Sequence, residues 1–241
     1  GSIKDIDVVS DGRTVYLSYL STYHSGYYSP VVYGSEDGLY FSSYAPLRTF
    51  ENVSEFHTAV WNSSLVIGYA EGSTKLYFAI TRFSTVIHSE KILDIRGHVR
   101  GVVPCVADNL YLFYALKPDS VPWRIYCKIY NGSNLSSPIF VTSPGLSLYG
   151  MASVTYDFYG RKYVILFFSN STGIWSSVLY KNRVINIEKI YDSQADYLNA
   201  YSSGRRILLV WREILGENDF GIYYGIFDGS EFSQPYLLDK G

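Results

Sequence analysis

Three carboxylates stand where acids could work on a glycosidic bond: Asp7 in the first apolar run of the chain, Glu55 just before a second such run, and Glu213 after a later one. Hydrolysis of that bond needs two carboxyl groups facing each other across it, one to donate a proton and one to activate water or to attack. Read as a hydrolase, Asp7 is the base and Glu55 or Glu213 the acid. A second group of residues suits binding. His57, Arg100, Trp123, Tyr149, Trp175 and Asn199 combine aromatic faces with imidazole, amide and guanidinium groups. Such a mixture stacks on the C–H face of a sugar and hydrogen-bonds its hydroxyls. Asp7 and Glu213 belong to this ligand-binding set as well, and the same groups could equally recognise a peptide.

IDVVSDGRTVYLSY (6–19) resembles the opening of arabinanase-like glycosidases, whose resemblance implies a carboxylate in each of three successive repeats, and against that the acids form an incomplete set, because GVVPCVAD (101–108) brings none before Asp108. The leading expectation is therefore a non-catalytic recognition or adhesion module that binds a glycan or a protein partner. A glycoside hydrolase is the alternative, and a structural component of a surface layer, filament or virion is a third reading. No nucleophile motif, phosphate loop or metal-spaced histidine cluster is present. No cofactor is expected, calcium at Asp5-x-Asp7 being the one metal option considered.

These residues are positioned by a repeat. An aromatic and aliphatic run recurs five times, as VYLSY (15–19), LVIGY (65–69), LYLFY (110–114), VILFF (164–168) and LLVW (208–211). A period of roughly 45 to 50 residues filled with strands is the signature of propeller blades. The expected fold is all-β, a single five-bladed β-propeller of four antiparallel strands per blade. Its blades are expected over about 3–54, 55–99, 100–148, 149–196 and 197–241, in a chain excised from a larger protein. First strands are expected at 6–10, 57–61, 102–106, 151–156 and 199–203, rich in small residues because innermost strands converge. Asn-Gly and Asp-Gly turns (131–132, 228–229) close hairpins between third and fourth strands. The edge position of the fourth strands accounts for Pro138 and Pro235.

In this arrangement the starts of the first strands and the loops joining second to third strands share one end, the default concave site. Those loops add Tyr23, His24, Tyr27 and Glu217 to the candidates.

Composition excludes other partners. Charged residues make up 17% of the chain and the net charge is −2, so there is no basic field for nucleic acid or an anionic membrane. No apolar run is long enough to span a bilayer. Sequons at Asn52, Asn62, Asn131, Asn134 and Asn170 suggest a secreted or cell-surface glycoprotein. Gly1-Ser2 looks like a cloning scar, so a leader could have been removed. Cys105 and Cys127 fall on first and third strands of one repeat, about 9 to 10 Å apart, and are expected as two buried thiols.

YNGSNLSSP (130–138) and FDGSEFSQP (227–235) resemble the aromatic-[DN]-G-x-x-[FW]-S-x-P turns of extracellular propellers, fucose-binding lectins among them. GSEDGLYF (34–41) resembles a degenerate Asp-box of sialidase-type repeats. Five blades are also similar to the arabinanase and fructosidase-like glycosidases, whose resemblance implies acids on successive first strands. Within it, IDVVSDGRTVYLSY (6–19) is similar to that family's opening, with Val8 in place of proline.

Overall fold

The structure, a computed structural model, describes residues 2–22, 28–45, 52–82, 85–95, 97–203, 205–216, 219–228 and 231–240. Among these residues there are twenty strands and no helix. They form five antiparallel sheets of four consecutive strands each, the expected five-bladed propeller. Blade 1 holds β1 (Ile3–Ser10), β2 (Val15–Ser21), β3 (Ser29–Ser35) and β4 (Ser42–Ala45). Blade 2 holds β5 (Val53–Trp61), β6 (Ser64–Glu71), β7 (Lys75–Arg82) and β8 (Thr85–Asp94). Blade 3 holds β9 (His98–Val106), β10 (Leu110–Lys117), β11 (Trp123–Tyr130) and β12 (Ile139–Gly145). Blade 4 holds β13 (Gly150–Phe158), β14 (Arg161–Asn170), β15 (Gly173–Tyr180) and β16 (Arg183–Tyr191). Blade 5 holds β17 (Ala195–Ser203), β18 (Arg206–Ile214), β19 (Phe220–Phe227) and β20 (Tyr236–Lys240).

Burial follows strand order. The second strands β6, β10 and β14 are covered on both faces, β6 through seven successive residues, which explains their unbroken apolar runs, whereas burial alternates along β2 and β18. The fourth strands are largely exposed, β20 throughout. Pro138 and Pro235 precede β12 and β20 instead of lying within them. Both Asn/Asp-Gly phrases build the same turn: Ser136 Oγ accepts the Ile129 amide at 2.9 Å and Ser233 Oγ accepts that of Ile226 at 3.0 Å. Bridges join Tyr130 to Leu135 and Phe227 to Phe232.

Four of the first strands begin three or four residues earlier than their apolar runs suggest and β13 begins one earlier, and in β1, β5 and β17 the added stretch carries a bulge. On β1, Lys4 pairs with Leu20 and Asp7 with Ser18, so β1 spends one residue more than its partner. On β17, Asp196 pairs with Arg212 and Asn199 with Val210, the same offset. β5 gains its extra residue between Val53 and Glu55. β13 pairs without a shift from Gly150 to Phe158. Asp5 and Tyr197 occupy the equivalent bulge position and have φ of 51° and 50°. Bulges of this kind re-aim side chains that alternation would send to opposite faces.

The chain divides into two compact units, Gly1–Pro104 with Tyr114–Asp119 and Cys105–Phe113 with Ser120–Gly241. The first has a core of Tyr16, Leu20, Phe56, Leu65, Ile67 and Tyr69 with their neighbours. Within it β6 approaches β9 so closely that a Cβ on Gly68 would meet the Val102 carbonyl oxygen at 2.1 Å. The core of the second unit gathers Phe167, Ile174, Leu198, Leu209 and the fully buried Trp211. Cys105 and Cys127 are buried free thiols there, and burial pushes the Cys105 thiol up to about 11.

Candidate active site

In the first unit the starts of β1, β5 and β9 bring together Asp5, Asp7, Glu55, His57 and Arg100. Four of these come from the sequence expectation. Their surroundings give the three acids different states.

Asp7 is fully engaged. Its Oδ1 accepts the Val8 amide at 2.9 Å, and its Oδ2 accepts both the Thr58 amide at 2.8 Å and the Thr58 hydroxyl at 2.7 Å. The carboxylate thus ties blade 1 to blade 2.

Glu55 is oriented from two sides. Its Oε2 accepts the Gly101 amide at 2.8 Å, an amide presented by a residue with φ of 48°. Its Oε1 lies 3.7 Å from His57 Nε2, with both side chains about a quarter exposed. Burial alone would raise the Glu55 carboxyl, but His57, Arg100 and the Gly101 amide outweigh it and hold the group below its ordinary value. Burial likewise disfavours a charged His57, yet Glu55, Asp7 and Asp5 together lift the imidazole above its ordinary value. His57 Nε2 is enclosed and makes no hydrogen bond among the described residues.

Asp5 differs again. Burial is the largest influence on it and the charge of Glu55 adds to it, so the carboxyl sits above its ordinary value in spite of Lys4, His57 and Arg100. The Lys4 ammonium is directed to the Ser54 carbonyl at 2.7 Å and over the Tyr28 ring at 4.3 Å. The result is a carboxyl biased toward the acid form beside one biased toward the anion.

The remaining expected residues lie in the second unit. Trp175 on β15 stacks on Phe168 with ring centroids 6.4 Å apart, and its indole N–H donates to Thr172 Oγ1 at 3.2 Å. Trp123 begins β11, where its carbonyl accepts the Ser143 hydroxyl at 2.9 Å. Tyr149, 37% exposed, donates its amide to the Ser169 carbonyl at 3.0 Å. Asn199 pairs with Val210 past the β17 bulge. Glu213 is half-buried beside Arg212 on β18, and its charge adds to the burial that raises the Tyr191 phenol. Tyr23, His24, Tyr27 and Glu217 lie outside the described residues.

Of the sequon residues, Asn52, Asn62, Asn131 and Asn134 are exposed. Asn170 is only 6% exposed. No group of three or more His, Cys, Asp or Glu among the described residues is disposed to hold a metal ion. The Asp5-x-Asp7 pair is a poor calcium ligand, since both Asp7 oxygens already accept protein hydrogen bonds. No helix among the described residues is long and apolar enough to cross a membrane.

No family model and no curated protein matches the sequence. Solved structures do match. AofleA from Arthrobotrys oligospora superimposes with a TM-score of 0.69 at 10% identity, over 98% of this chain and 73% of that one. An alpha-L-arabinanase of Penicillium chrysogenum complexed with arabinobiose gives 0.67 at 12% identity, over 89% and 71%. An alpha-L-arabinofuranosidase of Fusarium graminearum with an iminosugar inhibitor gives 0.65 at 13% identity, over 90% and 72%. The expectation of a non-catalytic recognition module does not hold. Glycosidases are prominent among the matching structures, and the β1 bulge places Asp5 as a further carboxyl on blade 1 within reach of the Glu55 charge, while β9 of blade 3 carries no acid. At these identities the likeness shows a five-bladed propeller fold.

Proposed function

We propose that the protein is a glycoside hydrolase whose acid and base are the carboxyls of Asp5 and Glu55. The observation that carries this reading is the divergence of the two groups: one cluster of charges and burial raises Asp5 and lowers Glu55. Carboxyl pairs whose environments push them apart divide the two roles of glycosidic cleavage. Asp5 gives its proton to the leaving oxygen as the C–O bond breaks. Glu55, as the anion, either takes a proton from the attacking water or bonds to the anomeric carbon itself, an ester that water, deprotonated by Asp5, then cleaves to free Glu55 again. Both routes end with a free sugar and an alcohol. Asp7 holds the two strands in place, and His57 with Arg100 keeps Glu55 ionised.

Pentose-containing polysaccharides are the first substrates to try, because the arabinanase and the arabinofuranosidase share this architecture. A secreted or cell-surface location suits an enzyme acting on such polymers, and the exposed sequons support it. The test is release of reducing ends from linear arabinan and xylan, and of aryl alcohol from aryl pentosides. Asp5→Asn and Glu55→Gln should each lower kcat by about 10² to 10⁴. Turnover that survives both substitutions would refute the assignment.

A further inference from the structure

We infer that Tyr197, on the first strand of blade 5, is a stacking platform for a neutral sugar ring. Successive residues of a strand point to opposite faces, but the β17 bulge sets both Asp196 and Tyr197 against Arg212. Asp196 takes the Arg212 guanidinium in a fork, with Nε to Oδ1 at 2.8 Å and Nη2 to Oδ2 at 2.7 Å. The guanidinium carbon lies over the Tyr197 ring at 4.2 Å, and 5.6 Å from the Phe220 ring. One face of the tyrosine is thereby backed by a rigid, planar group, while the residue remains 60% exposed.

Two features point to a ligand. A bulky aromatic residue at φ of 50° is strained, and strain of this kind persists at sites that use it. Asp5 is held in the same way at the equivalent position of blade 1. The chemistry selects the ligand class. Arg212 has its charge balanced by Asp196 and two of its five donors committed there, so the surface favours a neutral ligand over a carboxylate or sulfate. What it offers is a flat, 60% exposed ring with one face open, with Phe220 beside the same guanidinium, which suits the C–H face of an uncharged sugar.

The inference takes its ligand class from the hydrolase reading, but binding alone tests it. The full chain carrying Glu55→Gln, so that it does not cut, is run on native gels containing linear arabinan, xylan or hydroxyethylcellulose. At least one polymer should retard it. Adding Tyr197→Gly should weaken that interaction roughly tenfold, while Tyr197→Phe retains it. Because glycine adopts a positive φ freely, the glycine variant should keep its Tm, separating lost stacking from lost folding. Equal retardation of the Tyr197→Gly protein, or no retardation of its parent by any of the three polymers, overturns the platform. Cleavage that proceeds without Tyr197-dependent binding would remove the platform alone. Tyr197-dependent binding without any cleavage by the unsubstituted chain would remove the hydrolase reading alone.

Discussion

Thr58 donates both its backbone amide and its hydroxyl to one oxygen of Asp7, at 2.8 and 2.7 Å. Thr58 is 7% exposed, so these donors have little water to turn to when the acceptor is removed. Hydrogen bonds to a charged acceptor contribute about 1.5 to 3 kcal/mol each, and a stranded buried donor adds its own desolvation penalty. Asp7→Ala should therefore lower unfolding free energy by about 3 kcal/mol, measured by urea denaturation. Thr58→Ala keeps the backbone amide and should cost about half as much. If Asp7→Ala is as stable as the parent and yet inactive, Asp7 belongs to the chemistry and not to the joint between the strands.

Activity should have an acid optimum. The productive form has Asp5 protonated and Glu55 ionised. Asp5 lies above its ordinary 3.8, so it loses its proton, and kcat/KM falls, as the pH rises through that raised value. Glu55 lies below its ordinary 4.5, so the acid limb comes only when the pH falls through that lowered value. The two shifts move the limbs apart, the acid limb toward lower pH and the alkaline limb toward higher pH. A pH–rate profile with its maximum above about pH 8 would exclude Asp5 as the proton donor.

Stability should respond to His57 with the opposite slope to a depressed carboxylate. The imidazole is held above its ordinary 6.5, so its proton stabilises the folded chain. That contribution is complete below pH 6.5 and is lost as the pH rises through the folded-state value. Denaturation of the parent and of His57→Gln at about pH 5.5 and about pH 8.5 compares the two regimes. The parent's advantage should be larger at the lower pH. An advantage that stays constant would mean that the Glu55, Asp7 and Asp5 charges do not act on His57 in the folded chain.

The repeat was legible because β6, β10 and β14 are covered on both faces and so read as unbroken apolar runs, such as residues 65–69 of β6. Hairpin turns were legible for a local reason, Asn131 and Asp228 being chosen for their own backbone contacts. The starts of the first strands were not. Alternation is the signal for a half-covered strand, and it breaks at Asp5, between Val53 and Glu55, and at Tyr197, where one extra residue enters the ladder. Apolar patterning therefore places those strands too late and leaves Asp5 just ahead of the expected first strand. The engagement of Asp7 by Thr58 was hidden as well, because it joins residues fifty-one positions apart. A polar residue of β-averse type just before a small-residue first strand, as in Lys4-Asp5 and Asp196-Tyr197, is the only trace the bulges leave in the sequence.

Asn170 should remain unglycosylated in the folded protein although it heads a complete sequon. Its Nδ2, the atom a glycan would occupy, donates to the Pro144 carbonyl at 2.7 Å. Its Oδ1 accepts the Thr172 amide at 2.8 Å and the Thr172 hydroxyl at 2.7 Å, closing the turn between β14 and β15. The side chain is 6% exposed, so an attached sugar would have to displace the residues around it. Chains glycosylated there before folding would lose that turn and should be retained as misfolded species. Asn62, at the exposed hairpin between β5 and β6, has no such obstacle. Peptide mass spectrometry of protein secreted from a glycosylating host should find Asn62 modified and Asn170 bare. Asn170→Ala should lower stability by about 2 kcal/mol through its lost hydrogen bonds. A folded, secreted chain carrying a glycan on Asn170 would show that the β14–β15 turn opens far enough to release the side chain.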